Sequence, residues 1–220
     1  MFLPRVYHTH RFFLSLKHSL HVCCKVQLYY THSPLWHDHT DGCFFLDRLH
    51  VDEMKPIKIP IRYLPYGLSR KDKRKQIAML LQSKKQYPSK SYFTRSKLAS
   101  YPHRVSNHIV RAQKRYGISS IRPSRALSRK TGCSLHSLRK IVRKGEGAYY
   151  SSGSRPNQTA QSWGIARLAS AITGGKSAAI DYSILEKGCD HRKTAYRLAK
   201  TARQTYGSGH SHTKRRTVYL

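Results

Sequence analysis

A chain of 220 residues has room for one compact domain or two small ones, and its 42 Lys and Arg against 10 Asp and Glu give a formal charge of +32. Only 39% of the residues are hydrophobic and the mean hydropathy is −0.62. A field this positive is costly to hold compact unless a polyanion neutralises it. That disfavours an ordinary metabolic enzyme and favours a nucleic-acid partner over an anionic membrane surface.

The charge is unevenly spread. Residues 1–53 carry five basic and five acidic residues, eight of the 14 His and three of the five Cys. The remaining 37 basic and 5 acidic groups, and hence the whole net charge, lie in 54–220. In the first segment the apolar run 12–16 is cut off by Lys17 and His18, too short for a secretory h-region. Lys17, His18, His21 and Lys25 forbid a membrane span there. Met54 opens the lysine-rich style that continues to the end. We therefore expect 1–53 to be a non-native or disordered extension, with Met54 the working start. A His/Cys metal module is the alternative for this stretch, although Cys23-Cys24 lacks the gap usual between zinc ligands. Five cysteines without a C-x-x-C spacing and without an export signal predict reduced thiols in an intracellular setting. Cys133 with His136, and Cys189 with His191, have the residue types to meet around zinc; buried thiols beside surface histidines are the simpler reading.

Residues 54–68, punctuated by Pro56, Pro60, Pro65 and Gly67, read as an extended lead-in arm. Ser69 starts a helix, with Asp72 in a capping-box-like position. Its apolar stripe is Ile77, Leu80 and Leu81, and Lys71, Lys73, Arg74, Lys75, Lys84 and Lys85, with one acidic residue among them, lack local partners, which suits a phosphate-facing surface. A second helix is expected over 104–116. Val105, Ile109, Ala112 and Tyr116 share one stripe, Gly117 caps the end, and Arg111, Lys114 and Arg115 lie off the stripe. Between the two helices Tyr87, Tyr92, Phe93 and Tyr101 alternate with Lys90, Arg95, Lys97 and Arg104. Such a mixture can stack bases and neutralise backbone, or the aromatic rings can fill a small core.

Residues 124–145 hold the most specific local pattern. Ser124 caps a short helix ending at Gly132, and Ser134 caps a second ending at Gly145. Ser128, Gly132, Leu138 and Ile141 fall where a helix-turn-helix needs a small residue, a turn glycine and two core residues. The second helix would present His136, Ser137, Arg139, Lys140 and Arg143 to a groove. Two ordinary short helices are the bland alternative.

Residues 145–159 form a Gly/Ser-rich stretch with Arg155 and Pro156. It is read either as a phosphate-holding loop of backbone N–H groups or as a rigid packing loop for Tyr149, Tyr150 and Trp163. Thr159 caps a helix to about Ile172. Gly174-Gly175-Lys176-Ser177 lacks the earlier glycine and the leading strand of a P-loop. Asn157-Gln158-Thr159 matches a glycosylation sequon by chance. Glu146, Asp181 and Glu186 could be proposed as a Mg²⁺ site, but no pair has a diagnostic spacing; caps and charge partners are the simpler roles. Residues 192–216 carry eight Lys and Arg. Tyr196, Ala199, Ala202 and Tyr206 form a helical stripe there, and beyond Gly207 a flexible basic tail is expected, ending in Lys214-Arg215-Arg216, a cluster that suits backbone binding or nuclear targeting equally.

Across 68–189 the markers Lys144-Gly145-x-Gly147-Ala148, Ser152-Gly153-Ser154-Arg155-Pro156, Ser162-Trp163-Gly164-x-Ala166-Arg167 and Gly174-Gly175-Lys176 resemble an uncharacterised domain family. That family recurs in large DNA viruses of algae and amoebae, with looser relatives in phages. The resemblance implies a viral origin and supplies no activity.

Together these readings predict a mainly α protein: a small helical polybasic domain over 69–190 with a helix-turn-helix-like unit, a Gly/Ser-rich loop, and a basic C-terminal helix and tail over 191–220. The expected partner is nucleic acid, DNA in preference to RNA, bound through phosphates during genome packaging or organisation. The expected location is the virion, host nucleus or replication site, without secretion or a membrane span, cofactor or metal. The rival is an internal virion protein bridging acidic capsid or core partners. A nucleic-acid-processing enzyme is the lower alternative.

Overall fold

The computed structural model describes residues 56–209 and 213–219, and among these the fold is mainly helical. The expectations for 1–53 and for Met54 lie outside the described residues. No helix among the described residues is long and apolar enough to cross a membrane.

The chain enters through strand β1 (Ile57–Pro60) and a 3-10 turn (Ile61–Tyr63). Ser69 then caps helix α1 (Arg70–Gln86), its hydroxyl accepting from the Asp72 amide. The expected capping box closes through a third residue. Asp72 accepts from the Ser100 amide and hydroxyl (2.8 and 2.6 Å), and Ser100 Oγ accepts the Ser69 amide. The Ser100 hydroxyl, then its amide, hold the Asp72 carboxyl below the usual carboxylate range.

Helix α2 (Asn107–Tyr116) begins at a Ser106 cap and ends at Gly117 in the left-handed region (φ 62°), where an L side chain would be strained. It starts three residues later than its stripe predicts, and Val105 is 60% exposed while Ala112 and Tyr116 are buried. The Tyr116 hydroxyl donates to Ile172 O (2.5 Å), and burial pushes its pKa up to about 12.

Helices α3 (Arg125–Thr131) and α4 (Leu135–Ser152) flank the three-residue turn at Gly132, capped by Ser124 and Ser134 as expected. Helix α4 does not stop at Gly145. Glycine weakens a helix interior by about 1 kcal/mol relative to Ala, but here it admits a neighbour: a Cβ on Gly145 would meet the Cα of Gly164 at 2.6 Å. That neighbour is α5 (Ala160–Ile172), opened by a reciprocal Thr159–Ser162 capping box. The Gly/Ser-rich stretch is therefore helical up to Ser152.

Helices α6 (Lys176–Ile180), α7 (Tyr182–Gly188) and α8 (Thr194–Tyr206) complete the helical set. Gly174-Gly175 joins α5 to α6, so a helix and not a strand leads into Lys176. In α8, Ala195, Ala199 and Ala202 are buried, and Tyr206 is 40% exposed.

The lead-in and the C-terminal stretch depart from expectation in the same way. Strand β2 (Arg215–Val218) pairs antiparallel with β1 in the register Ile57↔Val218 to Pro60↔Arg215. A two-stranded ribbon is marginal alone, and this one is held by packing. Ile59, Tyr63, Leu64, Leu68 and Val218 are buried with Ile77, Met79, Leu80 and Leu98 in one apolar cluster. These apolar residues among prolines and basic residues convert a presumed arm and tail into structure. The other, larger cluster gathers Leu127, Leu138, Ile141, Leu168, Ile172 and Leu185 with the small residues of α2, α5 and α8.

Candidate nucleic-acid interface

An open cleft of about 1360 Å³ has walls from elements of both clusters. Its cations are Lys58 of β1, Arg62 of the 3-10 turn, Lys84 of α1, Arg104, Arg111 of α2, Arg143 and Lys144 of α4, Arg155, Arg167 of α5, Lys176 of α6 and Arg215 of β2. Among the described residues, no Asp or Glu lines it. Helical geometry explains the α4 contribution: Arg143, Lys144, Gly147, Ala148, Ser151 and Ser152 recur at three- and four-residue steps on one face.

One buried acid sets two of these cations. Asp181, fully buried, accepts from Arg167 Nε (2.7 Å) and Nη2 (2.8 Å) and pairs with Lys144 Nζ (2.9 Å). Arg167 is nearly buried, whereas Lys144 is about half exposed. This two-pronged pair fixes Arg167 geometrically. No carboxylate among the described residues pairs with Lys58, Arg62, Lys84, Arg104, Arg111, Arg143, Arg155 or Arg215. Their mutual repulsion is left for an outside anion to relieve.

His108 sits among them. Its Nδ1 is buried and has no hydrogen-bond partner among the described residues. Burial first, then Arg111 and Arg155, push its pKa below the ordinary histidine value.

Of the residues selected from sequence, the fold brings Arg111, Arg143 and Arg155 into the cleft. Lys71, Lys73, Arg74 and Lys75 lie on the first turns of α1, and Lys114 and Arg115 on the last turn of α2, all outside it. His136, Arg139 and Lys140 are exposed on α4 but also outside the cleft. Ser137 corrects the groove-reading expectation. It is 5% exposed, its amide donates to Ser134 Oγ, its hydroxyl accepts from the same oxygen, and the end of α7 covers it at Gly188. The selected set omits the cleft's Lys58, Arg62, Lys144, Arg167 and Lys176. Lys84 of the α1 charge set, Arg104 of the mixed aromatic and basic stretch and Arg215 of the basic tail belong to stretches that the sequence marks for backbone contact.

The loop after α4 is structural except for Arg155. Gly153 (φ 89°) abuts Leu80 and Tyr63. Ser154 Oγ accepts from Arg95 Nη2 (2.8 Å), and Ser154 O accepts from Gln76 Nε2. Arg95, from the mixed aromatic and basic stretch, is buried, its guanidinium 3.6 Å from the Tyr149 ring centroid. Phe93 and Tyr101 pack on the smaller cluster, whereas Tyr87 lines the cleft and Tyr92, 61% exposed, sits against it. The Asn157 side chain is spent on Leu98 and Tyr101, so it does not serve as a sequon.

The expectation of reduced thiols fails for Cys133 and Cys189. Cys133 and Cys189 form a disulfide across an antiparallel bridge, flanked by Ser134 N–H to Gly188 O (2.7 Å) and Asp190 N–H to Gly132 O (2.8 Å). The turn and the end of α7 lie side by side, with Cα atoms 3.8 Å apart, a proximity that a 56-residue separation in sequence hides. Neither sulfur is then a thiolate for zinc. Glu146, Asp181 and Glu186 do not converge, and among the described residues no three His, Cys, Asp or Glu are grouped to hold a metal.

No curated protein and no solved structure matches the chain. A model of a family of unknown function (DUF5824) matches residues 60–209, a span that includes most of the cleft and both apolar clusters. The chain belongs to this family of unknown function.

Proposed function

We propose that this protein binds nucleic acid, DNA in preference to RNA, through its backbone phosphates, with the basic cleft as the principal contact. The observation carrying the proposal is the set of cations gathered from ten separate segments around one cleft that no carboxylate among the described residues lines. Phosphate contacts supply sequence-independent affinity, and a chain of net charge +32 is drawn to polyanions over a distance. Exposed His136, Arg139 and Lys140 on α4 extend the positive surface beyond the cleft and supply whatever sequence preference exists. Genome packaging or organisation in a large DNA virus, within the virion, host nucleus or replication site, is the role proposed, with the polybasic charge supporting the binding and the family resemblance only the viral setting.

Titration of the full chain with DNA across a salt series tests this. About six to ten phosphate contacts predict a loss of roughly 10³–10⁵ in affinity between 50 and 200 mM salt. Arg111→Ala and Arg155→Ala should each lower the salt slope by about 1. Absence of binding at 50 mM salt contradicts the proposal.

A further inference from the structure

We infer that the cleft takes a single strand rather than a duplex, with phosphates on the Lys84, Arg111, Arg143 and Arg155 side chains and bases against Tyr87 and Trp163. The inference rests on the nucleic-acid reading above and narrows it.

The cleft's cations come from two groups of elements. Lys58, Arg62, Lys84 and Arg215 belong to the β-ribbon, the 3-10 turn and α1; Arg104, Arg111, Arg143 and Arg155 belong to the segment before α2, α2, α4 and the loop after it. A duplex carries its phosphates on the outside of a stiff cylinder with a persistence length of about 150 base pairs. A single strand bends, so its phosphates reach cations carried by all of these elements, whose scatter a stiff duplex does not follow.

The same walls carry aromatic side chains. Tyr87 and Trp163 line the cleft, and both are half-buried. Tyr63 holds Trp163 edge-on, with ring centroids 6.1 Å apart, and Tyr92 packs edge-on to Tyr87 at 6.3 Å. Aromatic rings fixed beside cations are the arrangement that binds unpaired bases, because every base has a π-face to stack whereas the bases of a duplex are already stacked.

The chain's two tryptophans are Trp36 and Trp163, so full-length protein with Trp36→Phe reports from Trp163 alone. Oligo-dT of about 12 nucleotides, within the ~4–16-nucleotide site sizes of strand-binding domains, is compared with a blunt dA·dT duplex of equal length at 50 mM salt. The expected result is quenching of Trp163 by oligo-dT and at least tenfold tighter binding of the strand. Tyr87→Ala should weaken strand binding about 5- to 150-fold, the equivalent of ~1–3 kcal/mol per stacked base, whereas Tyr87→Phe, which keeps the ring, should bind the strand as tightly as the unsubstituted residue. Duplex binding as tight as strand binding, or strand binding that leaves Trp163 unquenched, overturns the inference while nucleic-acid binding stands. Failure of both ligands to bind overturns the nucleic-acid reading and this inference with it.

Discussion

Gly145 of α4 and Gly164 of α5 meet so closely that a Cβ on the first would lie 2.6 Å from the Cα of the second. Their neighbours Arg143, Lys144, Trp163 and Arg167 all line the cleft, so the glycine contact sets that wall. The atom met is backbone, so no side-chain rotation relieves a clash. Gly145→Val should therefore destabilise the fold by about 3 kcal/mol, the upper part of the range for overpacking. Urea unfolding monitored by circular dichroism measures this, and a change below 0.5 kcal/mol, the size of an ordinary surface substitution, would show that the helices separate freely.

Asp181 makes a parallel prediction about charge. Asp181→Ala leaves Arg167, 15% exposed, without its carboxylate. Breaking a buried pair by removing one partner costs about 3–5 kcal/mol. Asp181→Asn keeps part of the hydrogen bonding and should cost less. Thermal unfolding of the two variants side by side reads the order.

Much of the helical fold was legible before any coordinates. Ser69, Ser124, Ser134 and Thr159 all cap helices where the sequence places them, because a cap is a local bond between a hydroxyl and an amide three residues on. The failures are all non-local. Gly145 looks like a stop signal until α5 is present to use its missing side chain. Ile57, Ile59 and Val218 look like scattered apolar residues in an arm and a tail until the β1–β2 pairing unites them. Charge reasoning located only part of the basic surface. Lys71, Lys73, Arg74 and Lys75 form the densest run, yet the cleft draws single cations from many segments, a pattern without linear signature.

The Cys133–Cys189 bond closes a 56-residue separation, which by chain entropy stabilises the fold by about 4 kcal/mol. Reductant, or replacement of both cysteines by Ser, should lower stability by that order. Since the bond spans the turn before α4 and the end of α7, loss of protection should concentrate there. Hydrogen exchange with and without reductant checks both the size and the place.

His108 gives the cleft a pH response. Its pKa is held below the ordinary value by burial and by Arg111 and Arg155, so the free protein carries it neutral at pH 7. A bound phosphate offsets those two cations and raises the histidine pKa, so binding takes up protons. By linkage, affinity should tighten as pH falls from 7.5 to 5.5. His108→Gln should remove the part of that dependence not shared with exposed histidines such as His136. Titrations at constant ionic strength measure the difference; equal pH slopes for the two proteins would place the phosphates elsewhere.

The central claim is that the cleft, and not the densest basic run, holds the nucleic acid. Its most direct test compares salt slopes for the full chain, a cleft variant (Arg104→Ala, Arg111→Ala, Arg155→Ala) and an α1 variant (Lys71→Ala, Lys73→Ala, Lys75→Ala). Both variants lose three positive charges, so general electrostatics is matched. The account predicts a slope reduced by about 3 for the cleft variant and nearly unchanged for the α1 variant. Equal reductions, or the larger loss in α1, would contradict it.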